Sequence, residues 1–435
     1  MSQAKLFSNL DDWLKYLEQA HPVGIDMGLG RIGRVKEALN FPIKPILFTV
    51  GGTNGKGSTC AMLESILLAA SYKVACHTSP HFLKFNERAR INGEMASDEL
   101  LLEHFAAVEK ARVSLDDPPS LTYFEFTTLA IMHLFAHSGM DAIIMEVGMG
   151  GRLDAVNLWD ADVAIVTSID MDHMEYLGNT RDKIAYEKAH IFRSGRTAIC
   201  GDPVPPASLI DHAKAIGTDL WLIGQDFNFQ GDKQQWGWAG RGKRLSGLGY
   251  PALRGANQLL NASAVIAALT AVRERLPVGA QEIRNGLAWV ELPGRFQVLP
   301  GRPTIILDVA HNPHASSALA QNLENMAYHP YTLGVFGVMA DKDVNGVLRP
   351  MLGLIDHWYL CDLPTQRAMS AKDIGQRLIE LGFKEDKDHT IQTFTEPGLA
   401  YAAALEKAGE GDRMAVFGSF YTVSGVMAYR NAKAH

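Results

Sequence analysis

The chain has 435 residues, more than one hydrophobic core of ordinary size supports, so two or three domains are expected. Hydrophobic residues at 47% and charged residues at 20% exclude a disordered or fibrous chain. With 41 Lys+Arg against 48 Asp+Glu the formal net charge is -7, so no broad cationic surface for nucleic acid is expected and an anionic ligand must be met by local groups.

The four cysteines, Cys60, Cys76, Cys200 and Cys361, lack CxxC spacing and are too few for a disulfide framework, which points to a reducing, cytoplasmic setting. No apolar run approaches the ~18 residues that a membrane span needs. The first twenty residues carry charge throughout and predict an amphipathic helix. From Pro45 the pattern becomes strand, helix, strand: LFTV, a helix with Met62 and Ile66 at i,i+4 spacing, then KVACH. It continues through AIIMEV (142–147), VAIVTSI (163–169) and TAIC, with helices near 126–137 and 181–192. Such alternation predicts an α/β fold with a mainly parallel sheet and sites at strand carboxyl ends. Residues 221–250, rich in Gly and Trp, predict a small antiparallel β excursion, and a helix follows over 258–275. The segment ELPGRFQVLPGRP marks a domain boundary, giving domains 1–293 and 294–435; the second repeats the alternation in TIILDV, TLGVFGV, HWYLCDL and MAVFGS.

The strongest local signal is FTVGGTNGKGST, an apolar strand running into a glycine-rich turn, Lys56 and a hydroxyl pair that opens a helix. The strict GxxxxGK[ST] template fails, because Val50 stands where its first Gly belongs and Gly57 separates Lys56 from Ser58. The chemistry is nonetheless that of a phosphate loop: glycines that let N–H groups converge on oxygens, a helix N-terminus, a cation and a hydroxyl for a metal ion. AIIMEV ends near Glu146 and runs into GMGGRLDAVN, while VAIVTSI leads to Asp170, Asp172 and His173, so Glu146 and His173 at successive strand ends suit one metal-phosphate site. A long polar loop over 77–93 holds Ser79, His81 and Arg88. Lys188, beside Glu187 in YEKAHIF, reads on its own as a surface lysine.

The GTNGKGS form resembles the ATP-dependent amide-bond ligases that include the Mur ligases and folylpolyglutamate synthases. Only some fifty residues precede Gly51, which leaves no room for the nucleotide-sugar-binding domain of Mur ligases. Motifs from Gly24 to Met427 follow, in order and spacing, those of bacterial bifunctional dihydrofolate synthase/folylpolyglutamate synthases. The resemblance implies a P-loop Mur-ligase-like ATP- and pterin-binding domain, followed by a smaller Rossmann-like α/β domain closing over ATP and glutamate. It also implies ligation of L-glutamate to 7,8-dihydropteroate and to reduced folates through an acyl phosphate, at the expense of ATP, in a monomer. The alternatives are another Mur-type amino-acid ligase and a non-ligase P-loop ATP-binding protein.

Residue by residue, the resemblance places ATP at Gly52, Thr53, Asn54, Gly55, Lys56, Gly57 and Ser58, with Asn261, Arg295 and Asp308. It places magnesium, at two sites, on Ser58, Ser79, Glu146 and His173, and implies potassium as a further cation. Lys188, carbamylated in the family, and His311 of DVAHNPH take the catalytic roles. Pterin binding falls to Gly24, Ile25, Asp26 and Met27, to Thr122, Tyr123, Phe124 and Glu125, and to Leu153, Asp154 and Ala155. Tyr123 and Phe124 suit contact with a flat heterocycle, and Glu125 its polar edge. Three residues depart from the family pattern: Val156 for Thr, His190 for Gly and Tyr421 for His.

Overall fold

The computed structural model describes residues 4–232, 234–255 and 257–434. The chain forms two compact units, one of residues 1–251 and 259–290, the other of 252–258 and 291–435. No helix among the described residues is long and apolar enough to cross a membrane.

The first unit is built on an eight-stranded sheet. Its strands are β1 (Ile46–Gly51), β2 (Val74–His77), β3 (Arg90–Ile91), β4 (Glu94–Met95), β5 (Ala142–Glu146), β6 (Val163–Val166), β7 (Thr197–Cys200) and β8 (Asp219–Leu222), in the order β4-β3-β2-β5-β1-β6-β7-β8. All neighbours from β2 to β8 run parallel, and only the β2–β3 and β3–β4 pairs are antiparallel. Every residue of β1 and β5 is buried, as expected of central parallel strands covered on both faces. The helices are α1 (Leu10–Gln19), α2 (Gly30–Leu39), α3 (Lys56–Ala69), α4 (Asp98–Val113), α5 (Tyr123–His137), α6 (Met174–Leu177), α7 (Arg181–Ala189), α8 (Ala207–Ile216), α9 (Gln258–Ala271) and α10 (Ala280–Trp289). Gly286 of α10 lies so close to Ile66 of α3 that a Cβ would meet its backbone at 2.4 Å, so a small residue is what lets the two helices pack.

Because β1 sits between β5 and β6, the connections leaving its carboxyl end and those of its neighbours diverge there. Val50 pairs with Glu146, and Gly51 with Val166, which brings three loops to one edge. That is where ligands bind in open parallel sheets.

Three expectations change in detail. The 77–93 segment is not all loop: it holds a short 3-10 helix (Phe85–Arg88) and β3, whose turn into β4 at Asn92 and Gly93 has positive φ at both residues as a tight hairpin requires. The β excursion comprises β9 (Phe227–Gly231), β10 (Trp236–Gly240) and β11 (Lys243–Leu248), whereas Trp221 belongs to β8 of the main sheet. The strand predicted over 163–169 stops at Val166, where Thr167 and Ser168 turn to bond the phosphate loop instead.

The second unit carries a six-stranded sheet, β12 (Gln297–Leu299), β13 (Thr304–Leu307), β14 (Thr332–Phe336), β15 (His357–Cys361), β16 (Thr390–Phe394) and β17 (Arg413–Phe417), in the order β12-β13-β17-β14-β15-β16. Only β12 is antiparallel to its neighbour. Phe336, Trp358 and Phe417 pack ring to ring in its core.

Candidate active site

The phosphate loop is anchored by the segment after β6. The Thr53 N–H donates to Ser168 O at 2.7 Å, and Thr53 Oγ1 both donates to Asp170 O and accepts the Asp170 N–H. Thr167 and Ser168 hydroxyls donate to the Asn54 carbonyl. Gly52 has φ +142, and a Cβ there would fall 1.9 Å from Thr167 Oγ1; Gly55 has φ +89, and a Cβ would meet Asn261 Oδ1 at 2.5 Å. These two positions therefore demand glycine on grounds of both space and conformation. Helix α3 opens at Lys56, and the N–H groups of a helix's first turn have no acceptor within the helix, so this turn suits an anion. Lys56 Nζ donates to the carbonyls of Gly52 and Thr53, which holds the ammonium over the loop. Gly57 and Ser58 are buried in the same turn, and Asn261 on α9 is buried against Gly55.

Glu146, at the end of β5, is 3% exposed and accepts the Ser79 N–H at 2.9 Å. Two expected metal ligands, Ser79 and Glu146, are thus brought together by the β2 and β5 edges. His173 stands seven residues beyond the end of β6, with φ +48, as the residue that opens α6; its ring lies 3.9 Å from Asp172.

Lys188 on α7 is buried, which removes the reading as a surface lysine. Burial, with the nearby Lys56 ammonium, pulls its pKa from 10.5 down to about 7, against the carboxylates of Asp172 and Asp154. Burial raises Asp154 to about 6 although N–H groups of Met149, Val156 and Gly148 and the Lys56 charge favour its ionised form. Lys56, Asp154, Asp172 and Lys188 therefore share one electrostatic site. None of this was visible around Lys188 in the sequence, because its neighbours come from three separate segments.

The departures from the family pattern are absorbed locally. Val156 packs in the apolar core while its N–H holds Asp154 Oδ1 at 2.9 Å. His190 closes α7 and stacks on His212 at 4.0 Å, and Tyr421 is 45% exposed.

The expected pterin elements meet through a residue that sequence reasoning passed over. Arg31, at the start of α2, pairs with Asp26 at 2.7 Å and with Glu125 at 3.0 Å. Glu125 also accepts the Thr122 N–H in a capping box at the start of α5, so both of its oxygens already have partners within the protein. Phe124 lies against Gly148, where a Cβ would meet its ring at 2.7 Å, and Met27 approaches Gly150. Tyr123 has Arg88 5.7 Å from its ring centre. Leu153, Asp154 and Ala155 follow the glycine loop, with Asp154 opening the short helix Ala155–Leu158. Gly24 and Ile25 are exposed on the segment before α2. His77 also escaped notice: its Nδ1 meets the Arg88 carbonyl, its buried Nε2 has no partner among the described residues, and its ring lies 6.2 Å from Phe124.

In the second unit, Asp308 follows β13 and accepts the N–H groups of Phe296 and Ala310, each at 2.8 Å. Burial raises its pKa against the charge of Arg295. Arg295 lies over the Phe420 ring at 5.5 Å, and His311 Nδ1 meets the Val309 carbonyl.

Residues 50–230 match the Mur ligase middle domain, and 294–420 match the Mur ligase, glutamate ligase domain. The chain is 40% identical over 427 residues to the dihydrofolate synthase/folylpolyglutamate synthase of Escherichia coli strain K12, covering 98% of this chain and 96% of that one. The solved structure of E. coli FolC in complex with DHPP and ADP superposes with a TM-score of 0.92 at 39% identity, covering 100% of both chains. A bifunctional folylpolyglutamate synthase/dihydrofolate synthase with Mn, AMPPNP and L-glutamate bound gives a TM-score of 0.88 at 39% identity, over 99% of this chain and 100% of that one. With its sequence matched along almost the whole length and its phosphate loop set at the switch point of the larger sheet, the chain belongs to the dihydrofolate synthase/folylpolyglutamate synthase family within the Mur ligases.

Proposed function

We propose that the protein is an ATP-dependent ligase that adds L-glutamate to 7,8-dihydropteroate, and then to the γ-carboxylate of folates already bearing glutamate. The observation that carries this reading is the full-length similarity to synthases of that name, together with a glycine-rich loop whose Lys56 charge acts on Lys188, a buried lysine of depressed pKa on α7. The first turn of α3 and Lys56 bind and orient the triphosphate. The acceptor carboxylate attacks the γ-phosphorus, the bond to the β-phosphate oxygen breaks, and ADP leaves an acyl phosphate. The neutral amine of glutamate then attacks the acyl carbon, loses a proton and expels phosphate, forming the amide. Alignment and charge neutralisation supply most of the rate.

The donor set fits a divalent cation. Ser58 and Ser79 offer hydroxyls, Glu146 a buried carboxylate at the strand edge, and His173 an imidazole. A bound magnesium or manganese ion would neutralise phosphate charge there. A second such site draws support from Lys188: with a pKa of about 7, a good part of it is neutral amine near neutral pH, the form that carbon dioxide converts to a carbamate, and a carbamate is an anionic oxygen ligand. Phe124, Tyr123, Met27 and Asp154 would hold the pterin, and Arg295, Asp308 and His311 would serve the second unit's share of the reaction. The free, buried cysteines agree with a reducing cytoplasm.

The test is product mass: incubation with dihydropteroate, ATP and glutamate should yield one glutamyl increment, and the Lys56→Ala protein, folded by circular dichroism, should yield none. ATP turnover indifferent to any pteroate would sink the reading.

A further inference from the structure

Away from the phosphate loop, three histidines converge between α4 and α5. His133 and His137 are one helical turn apart on α5 and so share a face, and His104 reaches them from α4. His104 Nδ1 lies 2.7 Å from His133 Nδ1, and the rings of His133 and His137 are 4.2 Å apart. One potential ligand atom from each lies within 4.8 Å of the others, and no other group of three or more His, Cys, Asp or Glu does so among the described residues. His137 Nδ1 lies 2.7 Å from the His133 carbonyl. Donation to that carbonyl fixes the proton on Nδ1 and leaves the Nε2 lone pair outward, the arrangement that orients metal-binding histidines. Phe41 packs 5.1 Å from His133 and 6.1 Å from His137 and backs both rings. Burial keeps His104 and His133 neutral, with pKa values of about 4, and exposed Glu103 is the acid whose field reaches His133.

We propose that His104, His133 and His137 form a site for a divalent transition metal of the Zn2+, Co2+ or Ni2+ class, which ties α4 to α5 and keeps a solvent ligand on its exposed side. Three imidazole nitrogens select such ions over magnesium, which prefers oxygen. Nitrogen ligands ~2.0–2.1 Å from a tetrahedral ion stand about 3.3 Å apart, so the His104 and His133 rings must part by about 0.6 Å. The proton they share at Nδ1 then moves to Nε2 of the ring that carries it; each imidazole stays neutral and no proton is released.

Cobalt titration of the intact protein tests this, with magnesium in excess to occupy oxygen-rich sites. One equivalent of Co2+ should give the visible bands of a four-coordinate, nitrogen-rich site, displaced by Zn2+. Both His137→Ala and His137→Gln change an exposed side chain, and each should weaken binding about tenfold or more. His212→Ala, which breaks the separate His190–His212 stack, should leave the spectrum intact. The site is overturned if the wild type shows no such bands, if they persist unchanged in the His137 variants, or if His212→Ala removes them equally.

Discussion

Gly151 lies against the backbone of Lys188: a Cβ on the glycine would fall 3.2 Å from the lysine Cα and 2.7 Å from the Glu187 carbonyl oxygen. The glycine loop after β5 therefore sets how closely α7, and with it the Lys188 amine, approaches the phosphate loop. In Gly151→Ala the helix must shift by a few tenths of an ångström, at a cost of about 1–3 kcal/mol for an overpacked core. The expected result is a modest fall in unfolding midpoint with a much larger fall in glutamate ligation, measured by denaturant titration and product assay. Equal, small losses in both would mean that α7 position is not critical.

The buried charge at Lys188 makes stability depend on pH in a defined window. Its folded pKa, about 7, lies below the unfolded value of 10.5, so between these limits the unfolded chain binds more protons and stability rises with pH. Below pH 7 both states are protonated and the full cost of burying the cation is present. Compared with Lys188→Met, the wild type should be relatively less stable at pH 6 than at pH 9, in bicarbonate-free buffer with chelator. Asp154 titrates in the folded state at about 6, above its ordinary 3.8, so its contribution falls as pH rises from about 4 to 6 and is separable from the lysine window. Parallel stability curves for the two proteins from pH 6 to 9 would contradict the assignment.

Local signals were legible in the sequence and convergent ones were not. The turn from Gly52 to Ser58 announces itself because its glycines, lysine and hydroxyl are adjacent, and the parallel order follows from alternating strands and helices. The exposed-lysine pattern at Lys188 was misleading, since the burial that chiefly lowers its pKa, and the charges of Lys56, Asp154 and Asp172 that modify it, arise only where separate segments meet at the sheet edge. The histidine cluster hid for the same reason: His133 and His137 show helical spacing, but His104 arrives from another helix. The strand expected to reach Ile169 ended early because Thr167 and Ser168 spend their polar groups on the phosphate loop, a competition that apolar pattern does not register.

Arg31 joins Asp26, on the segment before α2, to Glu125 at the start of α5. Its Nε is buried with no acceptor among the described residues, so the guanidinium has a donor to spare. Removing it leaves two carboxylates facing one another, and a charge-assisted bond is worth about 1.5–3 kcal/mol, or roughly ten- to a hundredfold in affinity. Arg31→Ala should raise KM for dihydropteroate by that factor and leave KM for ATP unchanged. Arg31→Lys should recover little, because an ammonium cannot reproduce the fork that spans both acids. A matching rise in KM for ATP would instead indicate general loosening of the first unit.

Asp308 is the corresponding tie in the second unit. Its two oxygens accept the N–H groups of Phe296 and Ala310, and Phe296 has φ +43, a conformation that a bulky residue holds only when its surroundings enforce it. The carboxylate thereby fixes the turn that carries Arg295. In Asp308→Asn one oxygen becomes an amide nitrogen, which faces an N–H and cannot accept, so one backbone donor is left buried at a cost of about 1–3 kcal/mol. Hydrogen exchange at the Phe296 or Ala310 amide should accelerate while amides of the first unit keep their protection, and ligation should fall. Because exchange reports the turn and product formation reports the chemistry, the two readouts separate positioning from contact: lost activity with unaltered exchange at both amides would mean that the carboxylate acts on a ligand directly and that Phe296 is held by other means.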